Sequence, residues 1–280
     1  MENGKENVLE KAKSKTLRKV KETNYQNPVV PEGYIHLEGS WKGGFVIQNQ
    51  EDGSEFVWIP VGFLDSDGTF DGKNFSRKFG RRKFRERNFL KKGYDEQLNY
   101  DLVESVKKYG GFYIARYQAS EEDGRLVFKK GNIPWVDVTY FEAATVSADY
   151  AKSRKDVRSC LTTGAAFDSV ISWILKSKAK TLDEVIKDSS SWGNYPKTLN
   201  EARGDWMMPT GNKKKWSVLR IYDLAGNGDE WTSEKKGYSY MLRGGSYYDE
   251  KEESYVTKRD PDAPDDCGSD TTFRAILYLK

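Results

Sequence analysis

The chain closes on a strand-like run, Phe273-Arg274-Ala275-Ile276-Leu277-Tyr278-Leu279, and a small-residue stretch, Arg243-Gly244-Gly245-Ser246, opens the region leading to it. Between them lies a long acidic, tyrosine-bearing segment, with nine Asp/Glu against three Lys/Arg from Asp249 to Asp270. A fold that accepts this ending must hold both ends rigidly and tolerate polar sequence in between.

Upstream, VPEGYIHLEG, GGFVIQN and EFVWIPV read as short strands separated by glycine turns. FYIARYQAS is a further strand, and EEDGR turns the chain into LVFKK. Helical patterns cover Leu98–Tyr109, stopped by Gly110-Gly111, and the alanine-rich Thr139–Ser153. A third covers Thr163–Lys176, with Phe167, Val170, Ile171, Ile174 and Leu175 on one face. After Thr181 the sequence reads as loop until the closing strands, and no internal repeat is present. Two or three helices among short strands and long loops predict one α+β domain over 28–280, large enough to bury a substantial core. Residues 1–27 form a charged tail, flexible or weakly helical, whose stripe of Val8, Ala12, Leu17 and Val20 would be marginal alone.

The net charge of +3 is unevenly spread: the tail carries seven Lys/Arg against four Asp/Glu. Residues 73–92 hold ten basic side chains and one acid, Glu86, with Phe75, Phe79, Phe84 and Phe89 interleaved. Such interleaving occurs in nucleic-acid binders, so a weak, non-specific, salt-sensitive contact is one reading. A solvated basic insertion pinned by its phenylalanines is the other. No apolar run approaches a membrane span, and the N-terminus lacks a hydrophobic signal core. The expectation is a protein made in the cytoplasm without a signal peptide.

His36 is the sole histidine, and Cys160 and Cys267 are far apart in sequence. Zinc sites, histidine triads and histidine-ligated iron centres therefore lack their residues, and no metal site or cofactor is expected. Loop carboxylates and carbonyls remain compatible with a structural Ca²⁺, whose ligands need no fixed spacing outside EF-hands.

Several motifs have structural work to do. Gly226-Asn227 suits a tight turn with positive φ. Trp231 is a core anchor, and Gly244-Gly245 permits close backbone approach. Arg243 and Arg274 stand at strand-like positions where a planar cation must find partners, with Asp229 and Glu230 as the carboxylates at hand. With Phe273, the residues Asn227, Trp231, Arg243, Gly244, Gly245 and Arg274 make up the expected frame.

In series, LTTGAAFDSVISWI, WGNY, IYDLAGNGDEWTSE, LRGGSYYD and TTFRAILYLK resemble the formylglycine-generating-enzyme-like group, whose members have a C-type-lectin-like fold. EFVWIPV and KYGGFYIARYQAS resemble its phage- and prophage-borne members. The enzymes of the group bind copper through two closely spaced cysteines shortly after the GGS segment. Here that stretch is Tyr247-Tyr248-Asp249-Glu250-Lys251-Glu252, without a thiol, and the histidines of the ergothioneine-type iron enzymes are also missing. The resemblance thus implies a protein that is not an enzyme.

The fold's other use, in variable proteins of diversity-generating retroelements, is ligand display over 243–274. Adenine-directed mutagenesis of AAC or AAT codons yields Tyr, Asp, Ser, Thr, Gly, Cys and Asn, but not Glu, Lys, Gln, Met or Trp. Tyr247, Tyr248, Asp249, Ser254, Tyr255, Thr257, Asp260, Asp262, Asp265, Asp266, Cys267, Ser269 and Asp270 fit that set and are the candidate ligand-binding residues. Glu250, Lys251, Glu252, Glu253 and Lys258 do not, and would be fixed. Rigid tyrosines among small polar residues suit contact surfaces. The exposed acids favour a basic partner. The ligand expected is an unidentified protein or cell-surface molecule, with display on a virion as the location the viral likeness implies. A formylglycine-generating-type oxidase with a degenerate site and an invariant phage structural binding protein are the alternatives.

Overall fold

The computed structural model describes residues 25–61, 94–96, 98–195, 206–249 and 251–280. The tail up to residue 24 and the basic insertion at 73–92 lie outside the described residues.

A six-stranded antiparallel sheet is built from β1 (Tyr34–Glu38), β2 (Val46–Asn49), β3 (Glu55–Pro60), β5 (Gly111–Ala115), β8 (Val157–Leu161) and β15 (Ala275–Leu279), in the order β1-β2-β3-β5-β15-β8. The last strand is therefore internal, paired through Ile276 to Ile114 on one side and to Cys160 on the other. The runs EFVWIP, GFYIA and AILYL are apolar at successive positions because both faces of this sheet are covered. Val57, Ile59, Phe112, Ile114, Ile276 and Tyr278 enter one core, while Phe56, Trp58, Tyr113, Ala115, Ala275 and Leu277 enter the other.

The first core is closed by α3 (Gly164–Lys176), whose Phe167, Val170, Ile171, Trp173 and Ile174 are fully buried. Burying each such side chain contributes roughly 1.5–3 kcal/mol. Thr163 caps α3 through Ala166 N at 2.9 Å. The Glu96 carboxylate accepts from Gly164 N and Ala165 N at 2.7 and 3.0 Å, a placement favoured at the positive end of a helix. Helix α1 (Tyr100–Tyr109) is capped by Asn99 and stopped by Gly110 at φ +81°, as Gly110-Gly111 predicted. Helix α2 (Tyr140–Asp149) starts at a reciprocal Thr139–Glu142 capping box and packs on the second core. A short α4 (Leu182–Ile186) lies where loop was expected. Its signal was the Thr181-x-x-Glu184 capping box, which the apolar periodicity of five residues is too short to reinforce.

The second sheet runs β13 (Arg259–Asp262), β12 (Ser239–Arg243), β11 (Asp229–Lys236), β14 (Thr271–Phe273), with β4 (Tyr94–Asp95) also on β11. β11 and β14 are parallel, which places Asp229 beside Thr271 and Trp231 beside Phe273. Hairpins β6 (Ser120–Glu122)–β7 (Arg125–Val127) and β9 (Ser217–Val218)–β10 (Ile221–Tyr222) complete the described strands. The result is a single α+β domain, with the C-terminal segment passing from the second sheet into the first, between β5 and β8.

Candidate ligand-binding surface and its frame

The frame begins at the turn after Ala225. Gly226 and Asn227 have φ of +70° and +71°, and a Cβ on Gly226 would meet the Asn194 carbonyl oxygen at 2.4 Å. Buried Asn227 uses its whole amide: Oδ1 accepts from Met208 N (2.9 Å) and Asn194 Nδ2 (3.1 Å), and Nδ2 donates to Gln118 Oε1 (2.8 Å) and Met208 O (3.2 Å). Trp231 is fully buried and donates to Val138 O at 2.9 Å. Phe273, also fully buried, lies 5.8 Å from the Trp135 ring.

The two frame arginines solve their burial separately. Arg274 pairs with Glu230, through Nε to both carboxylate oxygens at 3.1 Å and Nη2 to Oε1 at 2.7 Å. Its remaining donors go to the carbonyls of Ala115, Tyr222 and Asp223. Glu230 is thus the partner the sequence offered. Arg243 takes neither Asp229 nor Glu230. Its Nη2 reaches Asp168 of α3 at 2.8 Å, Nη1 reaches Glu234 at 3.4 Å, and Nε donates to Lys258 O at 2.9 Å. Arg259, not singled out from sequence, shares the same acids, with Nη2 to Asp168 at 2.5 Å and Nε to Glu234 at 3.0 Å. All four charged side chains are at most 1% exposed, so removing one leaves an uncompensated buried charge.

Asp229 is the correction that follows. Its register on β11 turns it toward Asp249, Lys258, Asp270 and Asp260, away from the arginines. Burial, reinforced by the Asp249 carboxylate, pushes it well above the ordinary carboxylate range, while Lys258 pulls the other way. Its Oδ1 has no hydrogen-bond partner.

Gly244 and Gly245 make the close approach expected of them, at φ +93° and +75°. A Cβ at Gly245 would lie 2.5 Å from Asp249 Oδ2 and 2.8 Å from the Tyr195 ring. The Gly244 carbonyl accepts from Gly226 N at 3.0 Å and from the Tyr195 hydroxyl.

The candidate ligand-binding residues divide into three groups. Tyr248, Asp265, Asp266, Cys267 and Ser269 are exposed. Asp249, Tyr255, Asp260, Asp262 and Asp270 are partly buried. Asp249 accepts from Ser246 N at 2.9 Å and is bonded by Lys258, and Asp270 accepts from Ser246 Oγ at 2.9 Å. Tyr247, Ser254 and Thr257 are buried, contrary to an outward role. The chain from 254 to 257 turns inward onto α4 and the turn after it: Ser189 N donates to Ser254 O (2.7 Å), Thr257 Oγ1 donates to Val185 O (3.2 Å), and Val256 joins the first core. Tyr247 packs edge-on to Tyr248, with centroids 6.2 Å apart. Lys258, expected to be fixed, is a buried hub whose amine contacts Asp249, Glu253 (3.1 Å) and Asp260 (3.4 Å). Although burial opposes its charge, Asp229 and Asp249 hold that ammonium above its ordinary value.

Cys160 and Cys267 are free thiols. Cys160 lies within β8, where burial and then Glu96 push it up to about 12, and Cys267 is exposed between β13 and β14. Among the described residues no group of His, Cys, Asp and Glu is arranged to hold a metal ion, and no helix is long and apolar enough to cross a membrane.

An α+β domain with these two sheets and this closing frame is of the C-type-lectin-like class. Residues 45–279 match the sulfatase-modifying factor enzyme 1-like (FGE-sulfatase) domain, and the chain belongs to that family. PvdO from Pseudomonas aeruginosa is similar over 84% of this chain and 98% of its own, at 17% identity and TM-score 0.49. Treponema denticola variable protein 1 is similar over 68% and 92% (14% identity, TM-score 0.42), and CarF over 61% and 87% (16%, 0.42). No curated protein sequence matches the chain.

Proposed function

We propose that this protein is a non-catalytic ligand-binding protein, the variable protein of a diversity-generating retroelement, with recognition carried by its C-terminal surface. The observation that carries this reading is the contrast inside one segment. Arg243, Gly244, Phe273 and Arg274 are buried, while Tyr248, Asp265, Asp266, Cys267 and Ser269 between them are exposed. Exposed positions held between rigid ends can change identity at little cost to folding. The non-enzymatic part is supported by the placement of the thiols, since a copper centre of this family's kind needs two closely spaced cysteines, and here Cys160 lies within β8 while Cys267 is exposed between β13 and β14.

The test is genomic. DNA downstream of the gene should hold a near-copy of its 3′ end, differing at adenines, beside a reverse transcriptase gene. Absence of both removes the retroelement and leaves an invariant binding protein. That alternative has its own support: Tyr247, Ser254 and Thr257 are buried, so random replacement there would damage the core. The oxidase alternative is tested separately with Cu, O₂ and a cysteine-containing peptide, which should be returned unchanged. Turnover lost on Cys267→Ser would establish it.

A further inference from the structure

Resting on the reading of the C-terminal surface as a ligand-binding one, the charges beside Tyr248 indicate what chemistry it takes. Asp249, Glu253 and Asp260 are in ion-pair contact with Lys258 there, and Asp229 and Asp270 lie beside them, Asp229 N donating to Asp270 O and Ser246 bonding both Asp249 and Asp270. The ammonium sits low in the cluster, its side chain 7% exposed, and is held by Asp249, whose side chain is 9% exposed. Glu253 and Asp260, which also touch it, remain about half open at 54% and 50%. Each therefore keeps acceptor capacity facing outward. Below them, Asp229 is 5% exposed and its Oδ1 accepts no hydrogen bond. A buried acceptor without a donor is costly, and a donor supplied from outside would relieve it. Next to the cluster, the exposed ring of Tyr248 offers a face to a cation.

We propose that this cluster is a subsite for a cationic side chain, lysine or arginine, presented by a protein or peptide ligand. The guest enters between Glu253 and Asp260, alongside Tyr248, and adds a second positive charge where three carboxylates share one ammonium. Charge-assisted hydrogen bonds to carboxylates, bidentate for a guanidinium, supply affinity and orientation.

The full chain, labelled with ¹⁵N, can be titrated with acetyl-Gly-Arg-Gly-amide and with its citrulline counterpart, which keeps the shape without the charge. Saturable shifts are expected at the amides of Tyr248, Asp249 and Asp260, with the citrulline peptide at least about tenfold weaker. Asp229→Asn and Asp260→Asn should each weaken the arginine peptide by about threefold or more. A double change on the β6–β7 hairpin, Glu121→Gln with Asp123→Asn, should not. The half-open Asp260 keeps the test decisive if Asp229→Asn fails to fold. Absence of saturable shifts, or equal loss in the hairpin variant, would overturn the proposal. Equal binding of both peptides with shifts at Tyr248 would also overturn it, while leaving the surface a ligand-binding one.

Discussion

The segment from Tyr247 to Asp270 contains two stretches of opposite fate. From 254 to 259 the chain faces inward: Ser254, Val256 and Thr257 are fully buried, and Arg259 joins the ion quartet with Arg243, Asp168 and Glu234. From 265 to 269 it faces out, and Asp265, Asp266, Cys267 and Ser269 are exposed. Serine occurs in both, buried at Ser254 and exposed at Ser269, so a small polar side chain does not separate the two. What separates them is how far the side chains are held by other parts of the chain. Val185 O of α4 and Ser189 in the turn after it bond the inner stretch, whereas the outer one accepts from Asp137 N at the Gly268 carbonyl (3.1 Å) and, at a side chain, from Tyr238 OH at Asp265 (3.3 Å). Tolerance to change therefore belongs to the outer stretch and Tyr248, a smaller surface than the composition suggests.

The contrast breaks first at the quartet. Arg243→Ala should cost about 3–5 kcal/mol in urea unfolding, because Asp168 and Glu234 would face Arg259 alone. A loss under about 1 kcal/mol would mean that the buried charges are not what anchors the inner stretch. Trp231→Ala should cost a similar amount, about 3–5 kcal/mol, through a cavity in the second core.

Changes within the inner stretch come next. Ser254→Tyr keeps to the adenine-accessible residues yet overfills a buried site, and should cost roughly 1–3 kcal/mol. If it melts like the wild type, the inner stretch is as tolerant as the outer, and the division drawn here is wrong.

A pH series sharpens the frame side. Burial raises Asp223 to about 7, against Gly211 N and Arg274, which favour its charge, and with Glu230, which disfavours it. The folded state then holds a proton the unfolded chain releases near its ordinary value of 3.8. The contribution is fully present below that value and is lost as pH rises toward 7, at a slope of at most about 1.4 kcal/mol per pH unit. Thermal melts of Asp223→Asn between pH 4 and 8 should lack this decline. An unchanged slope would show that Asp223 is ionised in the folded protein.

The smallest effect is expected outside. Exchanging Tyr248, Asp265, Asp266, Cys267 and Ser269 together for other adenine-accessible residues should change stability by less than about 0.5 kcal/mol per site. Unfolding of this variant while Arg243→Ala melts normally would invert the assignment of frame and display.

Much of this was legible in the residues themselves. Turn chemistry placed Gly226-Asn227 in positive-φ backbone and Gly244-Gly245 at a close approach, a Gly110-Gly111 stop, an alanine-rich run and an apolar face marked three helices, and apolar runs between glycine turns marked the strands, because these signals act within a few residues. Local sequence also showed that Arg243 and Arg274 needed acids. The tertiary structure alone decided which. Glu230 faces Arg274, whereas Arg243 finds Asp168, 75 residues away on α3, and Asp229 is turned to a cluster where its Oδ1 has no donor. It likewise decided which of the tolerant-looking residues are inside. A small polar side chain carries no periodic signal in a loop, and it is as stable buried as exposed once a backbone group completes its hydrogen bond. For Thr257 that group is the Val185 carbonyl of α4, distant in the chain, so the segment by itself carries no signal of it.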